Sequence, residues 1–258
     1  MKQLLSNKLA VNYKEYNESA SNTLVFLHGN SHCHKSFAKQ IESQLLKNKR
    51  LILLDLPGHG ESSRIKDYTL PVIAELVAEF IVEKRLKNYA IVGHSLGGHI
   101  GIHALNFLSP KGHVIFGTPP LSKPFEPSSF LPCPGMTALL QPESSSEEID
   151  SLMNDLNYYA EDREQAIEAY QKADPNFRAT LLGSVAGGKY FDEVDLLRKY
   201  KGKLHIILAE GETLVSNSYI KNFLNLGDFS SLKSKHSPQI DQADAFNAIL
   251  HEFCLKTF

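Results

Sequence analysis

The sequence predicts an α/β fold built on a mostly parallel central sheet with helices on both faces, and three observations lead there. Short apolar runs at 23–27, 50–54, 89–92, 113–117 and 204–209 alternate with segments whose apolar residues recur every three or four positions. That is the pattern of strands buried on both sides and of the amphipathic helices that cover them. Several runs stop at glycine-bearing turns, His28-Gly29-Asn30, Pro57-Gly58-His59-Gly60 and Gly93-His94-Ser95-Leu96-Gly97, as strand ends do in such sheets. The length, 258 residues, accommodates one core and a modest insertion without requiring two independent domains.

The elements follow in order. Residues 8–13 alternate in polarity and suit a half-exposed hairpin. The buried strand 23–27 is followed by helical spacing over 37–46, then by strand 50–54 and the loop from Asp55 to Ser62. Residues 69–86 predict an amphipathic helix, with Pro71 where a first turn tolerates it. A strand at 89–92, a turn at 93–97, a mostly apolar helix at 98–108 and a strand at 113–117 come next. The pattern changes between 118 and 190, where Pro119, Pro120, Pro124, Pro127, Pro132, Pro134 and Pro142 precede polar helices around 147–159 and 163–173. This segment reads as a helical cap inserted after a core strand, dividing the chain into a first core part (1–117), a cap (118–190) and a second core part (191–258). A helix at 191–200, the strand 204–209, a weaker strand near 229–233 and a helix from about 241 complete the core. Within the cap, Ile149, Leu152, Met153, Leu156, Tyr158 and Tyr159 give one helix an apolar side, part expected to pack on the core and the remainder to line a pocket.

Composition narrows the function. The 27 basic and 29 acidic residues are spread along the chain for a formal net charge of -2, which offers no basic face to nucleic acid or to an anionic membrane. Cys33, Cys133 and Cys254 have neither metal nor redox spacing and read as unpaired thiols of a reducing compartment. The first ten residues lack the apolar stretch of a secretory signal, and no run approaches the roughly 20 apolar residues of a membrane helix. A soluble cytoplasmic protein without a membrane span is therefore expected; no feature specifies an oligomeric state.

Gly93-His94-Ser95-Leu96-Gly97 fits G-x-S-x-G between a buried strand and a helix, where the sharp turn exposes the serine as a nucleophile. Acyl transfer needs N–H donors aimed at the developing oxyanion. Leu96 supplies one candidate and Asn30, after Gly29, the other; the Asn30 side chain is also a candidate for substrate binding. The hydroxyl needs a base, and His236, in Lys235-His236-Ser237-Pro238 after the last strand, satisfies the chain order serine, acid, histidine. The acid should follow strand 204–209, where Glu212 lies in the loop and Glu210 at the strand end. Glu212 is preferred, with Asp228 a more distant alternative. His28 reads as a core histidine, and His59, His94 and His99 as structural. His32 and His34 flank Cys33, a tripeptide too short to imply zinc, and read as loop residues near the pocket mouth.

At these residues the chain resembles the α/β-hydrolase superfamily: His28-Gly29, Asp55-Leu56-Pro57-Gly58-His59-Gly60, Gly93-His94-Ser95-Leu96-Gly97-Gly98 and His236-Ser237-Pro238. That resemblance implies an α/β-hydrolase fold and a serine hydrolase needing no cofactor or metal. The family's acid loop commonly reads Gly-x-x-Asp-x-x-Val, and Ala209-Glu210-Gly211-Glu212-Thr213-Leu214-Val215 places Glu212 at its aspartate. More narrowly, His28-Gly29-Asn30-Ser31, Gly98-His99-Ile100-Gly101-Ile102 and Gly117-Thr118-Pro119-Pro120 resemble the α/β-hydrolase N-acyl-homoserine lactonases. Those also use glutamate as the acid and have a cap tyrosine that contacts substrate, for which Tyr158 and Tyr159 are the neighbouring candidates. The expected activity is hydrolysis of a small-molecule carboxylic ester or lactone, an N-acyl-homoserine lactone among them. The alternatives are a ligand receptor that keeps the triad and a carbon–carbon bond hydrolase using the same residues.

Overall fold

The computed structural model describes every residue except Asn157 and Tyr159, so the expectation for Tyr159 lies outside the described residues. Eight strands form one sheet in the order β1-β2-β4-β3-β5-β6-β7-β8. They are β1 (Lys2–Leu4), β2 (Ala10–Tyr16), β3 (Thr23–Leu27), β4 (Arg50–Leu54), β5 (Tyr89–His94), β6 (Gly112–Phe116), β7 (Lys203–Ala209) and β8 (Asp228–Leu232). The β1–β2 and β2–β4 pairs are antiparallel, and every later pair is parallel.

Alternation along the strands sends side chains to two cores. From β3, Val25 and Leu27 pack toward α2 (Leu70–Glu83) and α3 (Leu96–Ala104), with Ile73, Phe80 and Ile100. Leu24 and Phe26 face the other way, with Phe37, Phe246, Leu250 and Phe253. Helices on both faces explain why β3, β5 and β6 are buried throughout. The register pairs Leu27 with Gly93 and His94 with Phe116, so the turns after β3, β5 and β6 emerge side by side. Open parallel sheets place their sites at such strand ends.

Three helices differ from expectation. Over 37–46 the chain forms a 3-10 turn (His34–Phe37) and a short α1 (Ala38–Ile41). It then proceeds by successive three-residue turns that carry Leu46 into the core, so tertiary burial of Leu46 overrides helical spacing. The elbow helix begins at Leu96, two residues early, with Ser95 as its N-cap. At the C-terminus, Gln242 at φ -128 divides α10 (Pro238–Asp241) from α11 (Ala243–Thr257).

Between β6 and α8 (Glu193–Lys199) lie α4 (Met136–Leu140), α5 (Ser146–Asp155), α6 (Ala160–Lys172) and α7 (Pro175–Ala186). Ser145 and Glu148 start α5 with a reciprocal capping box. Sequence reading gave α7 no range of its own, although Asp174 followed by Pro175 supplies its N-cap and first-turn proline. Ile149, Leu152, Met153 and Leu156 are all buried in one cluster with Ile102, Leu204 and Leu208. Those four residues are therefore the part that packs, while Tyr158 lines a cavity with His32, Cys33, Ala166 and Ile240. The short α9 (Asn217–Lys221) follows β7. Among the described residues no helix is long and apolar enough to cross a membrane.

Candidate active site

Ser95 stands at φ 50 and ψ -116, a conformation that a side-chain-bearing residue holds only when its surroundings over-determine it. Here Ser95 N–H donates to the Phe116 carbonyl (2.9 Å), and Thr118 Oγ1 donates to the Ser95 carbonyl (3.0 Å). The flanking glycine is sterically required, because a Cβ on Gly97 would collide with the Leu27 carbonyl. Strand, turn and helix thus present Ser95 as the motif predicts.

Glu212 and His236 come together at the neighbouring strand ends. His236 Nδ1 lies 2.9 Å from Glu212 Oε1 and 3.0 Å from Oε2. Glu212 Oε1 also accepts from the Thr213 and Leu214 backbone N–H groups, each at 2.9 Å. Burial works to raise the Glu212 pKa, but the His236 charge and hydrogen bond, with those two N–H donors, hold the carboxyl below its ordinary value. With Nδ1–H donating to a carboxylate, His236 Nε2 is left as the acceptor that a general base requires. His94 fixes the backbone beneath, donating from Nε2 to the His236 carbonyl (2.9 Å) while stacking on Phe116.

His236 reaches the elbow across Gly117, where a Cβ would lie 2.8 Å from His236 Cε1. Among the described residues there is no hydrogen bond between the His236 imidazole and the Ser95 hydroxyl, as is common before substrate binds. Glu210 is exposed at the strand end. Asp228 pairs with Lys203 and Lys256 at the sheet edge.

The turn after β3 is held from several sides. Leu56 N–H donates to His28 Nε2 (3.0 Å) and His28 Nδ1 bonds the Gly29 carbonyl (2.8 Å), and burial lowers the His28 pKa to about 4. His28 is the neutral core histidine expected. Ser31 N–H donates to His59 Nε2 (3.1 Å), and Ser31 itself sits at φ 59. The Asn30 side chain, a candidate substrate contact, bridges instead to the insertion: Nδ2 donates to the Leu139 carbonyl (3.1 Å) and Oδ1 accepts from Ser31 Oγ (2.8 Å). Leu96 occupies the first position of α3, whose N–H has no partner within the helix.

His32, His34 and His99 each have partners of their own. Tyr158 Oη and His32 Nε2 are hydrogen-bonded at 2.8 Å, and burial lowers the His32 pKa to about 3. The ligand atoms of Cys33, His34 and Asp55 lie within 4.8 Å of one another. However, Asp55 already accepts from His34 N and Nδ1, Asn12 Nδ2 and Glu61 N (2.7–3.0 Å), and burial pushes the Cys33 thiol to about 11. With the Asp55 carboxylate already fully engaged and the Cys33 thiol kept protonated by burial, this group fits a metal poorly. All three cysteines are free thiols. His99 Nδ1 meets the fully buried Glu193 at 2.9 Å. No periodicity or motif marks Glu193 in advance.

Comparison with known proteins agrees with this frame. The profile of the alpha/beta hydrolase family matches residues 24–249. The uncharacterized hydrolase YugF of Bacillus subtilis is 39% identical over 97 residues, 36% of this chain and 35% of that protein. A 2-succinyl-6-hydroxy-2,4-cyclohexadiene-1-carboxylate synthase of Photorhabdus laumondii is 34% identical over 80 residues, 31% of this chain and 28% of that one. The chain therefore spans about a third of the length of these curated relatives. Among solved structures, a mutant of the N-acyl homoserine lactonase AidH complexed with N-hexanoyl homoserine superposes with TM-score 0.89 at 21% identity, covering 100% of this chain and 96% of that one. A thermophilic esterase from Thermogutta terrifontis gives 0.82 at 15% identity, covering 100% and 98%.

Proposed function

The chain belongs to the alpha/beta hydrolase family, and within it we propose a serine hydrolase that cleaves a small carboxylic ester or lactone, with Ser95, Glu212 and His236 as its triad. The observation that carries the proposal is the Glu212–His236 contact of 2.9 Å beside a serine held at φ 50. In the proposed reaction His236 Nε2 takes the Ser95 proton as Oγ attacks the carbonyl carbon. The backbone N–H groups of Leu96 and Asn30 receive the oxyanion, and His236 returns the proton to the leaving oxygen. Water, deprotonated by the same imidazole, then releases the acid. For a lactone the leaving alcohol stays tethered to the product, so ring opening is the net change. Residues 118–190 act as the cap over this chemistry, with 1–117 and 191–258 as the core.

Among specific substrates, an N-acyl-homoserine lactone ranks first, supported by Asn30 after His28-Gly29, by glutamate as the acid, and by the likeness to AidH over the whole chain. A fluorophosphonate should label the protein and should fail to label Ser95→Ala, which should also lose about 10⁴-fold or more in kcat. Labelling and turnover surviving in Ser95→Ala would end the serine mechanism. A series of acyl-homoserine lactones followed by chromatography reads the substrate: absence of ring opening throughout would remove the lactone and leave the esterase.

A further inference from the structure

We propose that Arg178, on α7 of the insertion, is a positioning residue for the oxyanion turn. Its guanidinium locks Ser31 in the left-handed conformation that aims the Asn30 N–H at the Ser95 carbonyl adduct. The inference rests on the proposed serine mechanism. Arg178 is buried, and burial lowers its pKa from the ordinary arginine value. Its hydrogen bonds are to neutral oxygens: Nε to the Gln141 carbonyl (2.7 Å), Nη2 to the Pro142 carbonyl (2.7 Å), and Nη1 to Ser31 Oγ (3.1 Å) and the Tyr170 carbonyl (3.5 Å). The guanidinium also lies over the Tyr170 ring, 4.3 Å from its centroid. Desolvating a cation without a carboxylate hydrogen-bonded to it is costly, so a reason for its placement is wanted.

The Ser31 contact supplies one. At φ 59 Ser31 bears a side chain in a region that disfavours it. Its N–H goes to His59 and its Oγ to Asn30 Oδ1, while Arg178 donates to that same Oγ. The conformation is thus determined from both faces of the turn. α7 is itself rigidly docked at this point. Asp174 N–H donates to the Gly58 carbonyl (2.7 Å), Tyr68 donates to Asp174 Oδ2 (2.7 Å), and Phe177 packs edge-on to His59 at 4.4 Å. Arg178 also gathers the carbonyls at 141–142, just past Leu139, whose carbonyl accepts from Asn30 Nδ2. One guanidinium therefore ties α7, the end of α4 and the oxyanion turn together.

The experiment compares Arg178→Met, Ser31→Ala and the double variant, using a p-nitrophenyl ester below each protein's melting temperature. Loss of a whole oxyanion donor costs about 10²–10³-fold in kcat, and misaiming one should cost about 10-fold or more. Arg178→Met should lower kcat by that factor with KM within about threefold, and should slow fluorophosphonate labelling of Ser95 equally, because phosphonylation uses the same N–H groups. In the Ser31→Ala background the same substitution should cost less than about threefold, since its path is already cut. A merely structural arginine would give additive losses or a wild-type kcat, and either result overturns the proposal. Should Arg178→Met fail to fold, Ser31→Ala alone keeps the arginine and its carbonyl bonds, and a wild-type kcat there overturns it equally. If Ser95 itself is unlabelled in the native protein, the serine mechanism fails first and takes this inference with it.

Discussion

Among the described residues two buried glutamate–histidine pairs have nearly the same geometry, and in the proposed mechanism only one of them reacts. Glu212 meets His236 at 2.9 Å and Glu193 meets His99 at 2.9 Å. Both carboxyls are held below their ordinary pKa against burial, chiefly by the neighbouring imidazole charge, Glu193 to about 2. The difference lies in position. Glu212 is on the loop after β7 and its histidine faces the elbow across Gly117. Glu193 joins α8 to the back of α3, bonds Leu121 N–H (2.8 Å) and lies 3.2 Å from His103 Nε2. In the proposed mechanism the second imidazole nitrogen of the first pair serves the substrate, whereas the other pair fastens Leu121, at the start of the insertion, and α8 to the elbow helix. A shifted carboxylate beside a histidine is thus a site only where strand ends leave space for a reacting atom.

The largest test of that contrast is isosteric. Glu212→Gln keeps the shape but takes away the charge that selects and stabilises the working form of His236. It should lower kcat about 10³–10⁴-fold with little change in KM. A fall of less than tenfold would break the distinction by making Glu212 structural like its counterpart.

Glu193→Gln should do the reverse. It removes the charge partner of His99 inside the fold, and the expected loss is about 2 kcal/mol, seen as a drop in Tm of about 4–8 °C. Below that temperature kcat should stay within about threefold of the native value. A Glu193→Gln protein that melts normally but turns over slowly would show that the buried pair acts on the elbow through α3.

How far these pairs were legible in advance follows from their physics. The G-x-S-x-G turn, the acid loop and His236 sit in local patterns that report their own geometry, because glycine placement and strand ends are properties of neighbouring residues. The sheet was legible for the same reason, since an apolar run bounded by turns is a local signal. Glu193 and Arg178 were not: each is a charged residue on a helix, and its burial depends on partners 94 and 147 positions away. Helical spacing over 37–46 misled because Leu46 reaches the core through turns, whereas the apolar residues of α5 pack as expected for part of that set. The preference for Glu212 over Glu210 was readable only from loop position and resemblance; in the fold Glu212 contacts His236 and Glu210 is exposed.

Acid should probe both pairs through the histidines around them. Burial lowers His28 to about 4 and His32 and His113 to about 3, and holds His59 and His94 well below the ordinary value. Below about pH 6.5 the unfolded chain takes up protons that these rings refuse, so stability present above pH 6.5 is lost as pH falls toward 4 and 3. Each such histidine contributes about 1.4 kcal/mol per pH unit in that window. The two glutamates add their share only below their unfolded value near 4.5. Denaturant titrations should therefore show a falling midpoint between pH 6.5 and 5, before any carboxylate titrates. A flat midpoint there would mean that the rings are protonated in the folded protein.

The smallest expected effect sharpens the comparison most locally. Glu210 lies two residues from Glu212 and carries the same acid, yet it is exposed, and the contacts of its backbone, N–H to the Leu232 carbonyl at 2.9 Å, do not involve its side chain. Glu212 owes the placement of its carboxylate to a turn in which its own N–H bonds the Ala209 carbonyl (3.2 Å), swinging the carboxylate inward to Thr213, Leu214 and His236. Glu210→Ala leaves that turn intact, so kcat should remain within about twofold and stability within about 0.5 kcal/mol, as for an exposed substitution without buried partners. Parallel steady-state kinetics on Glu210→Ala and Glu212→Ala settle the matter: comparable losses in the two would return the acid's identity to the pair, because either carboxylate would then be reaching His236 during turnover.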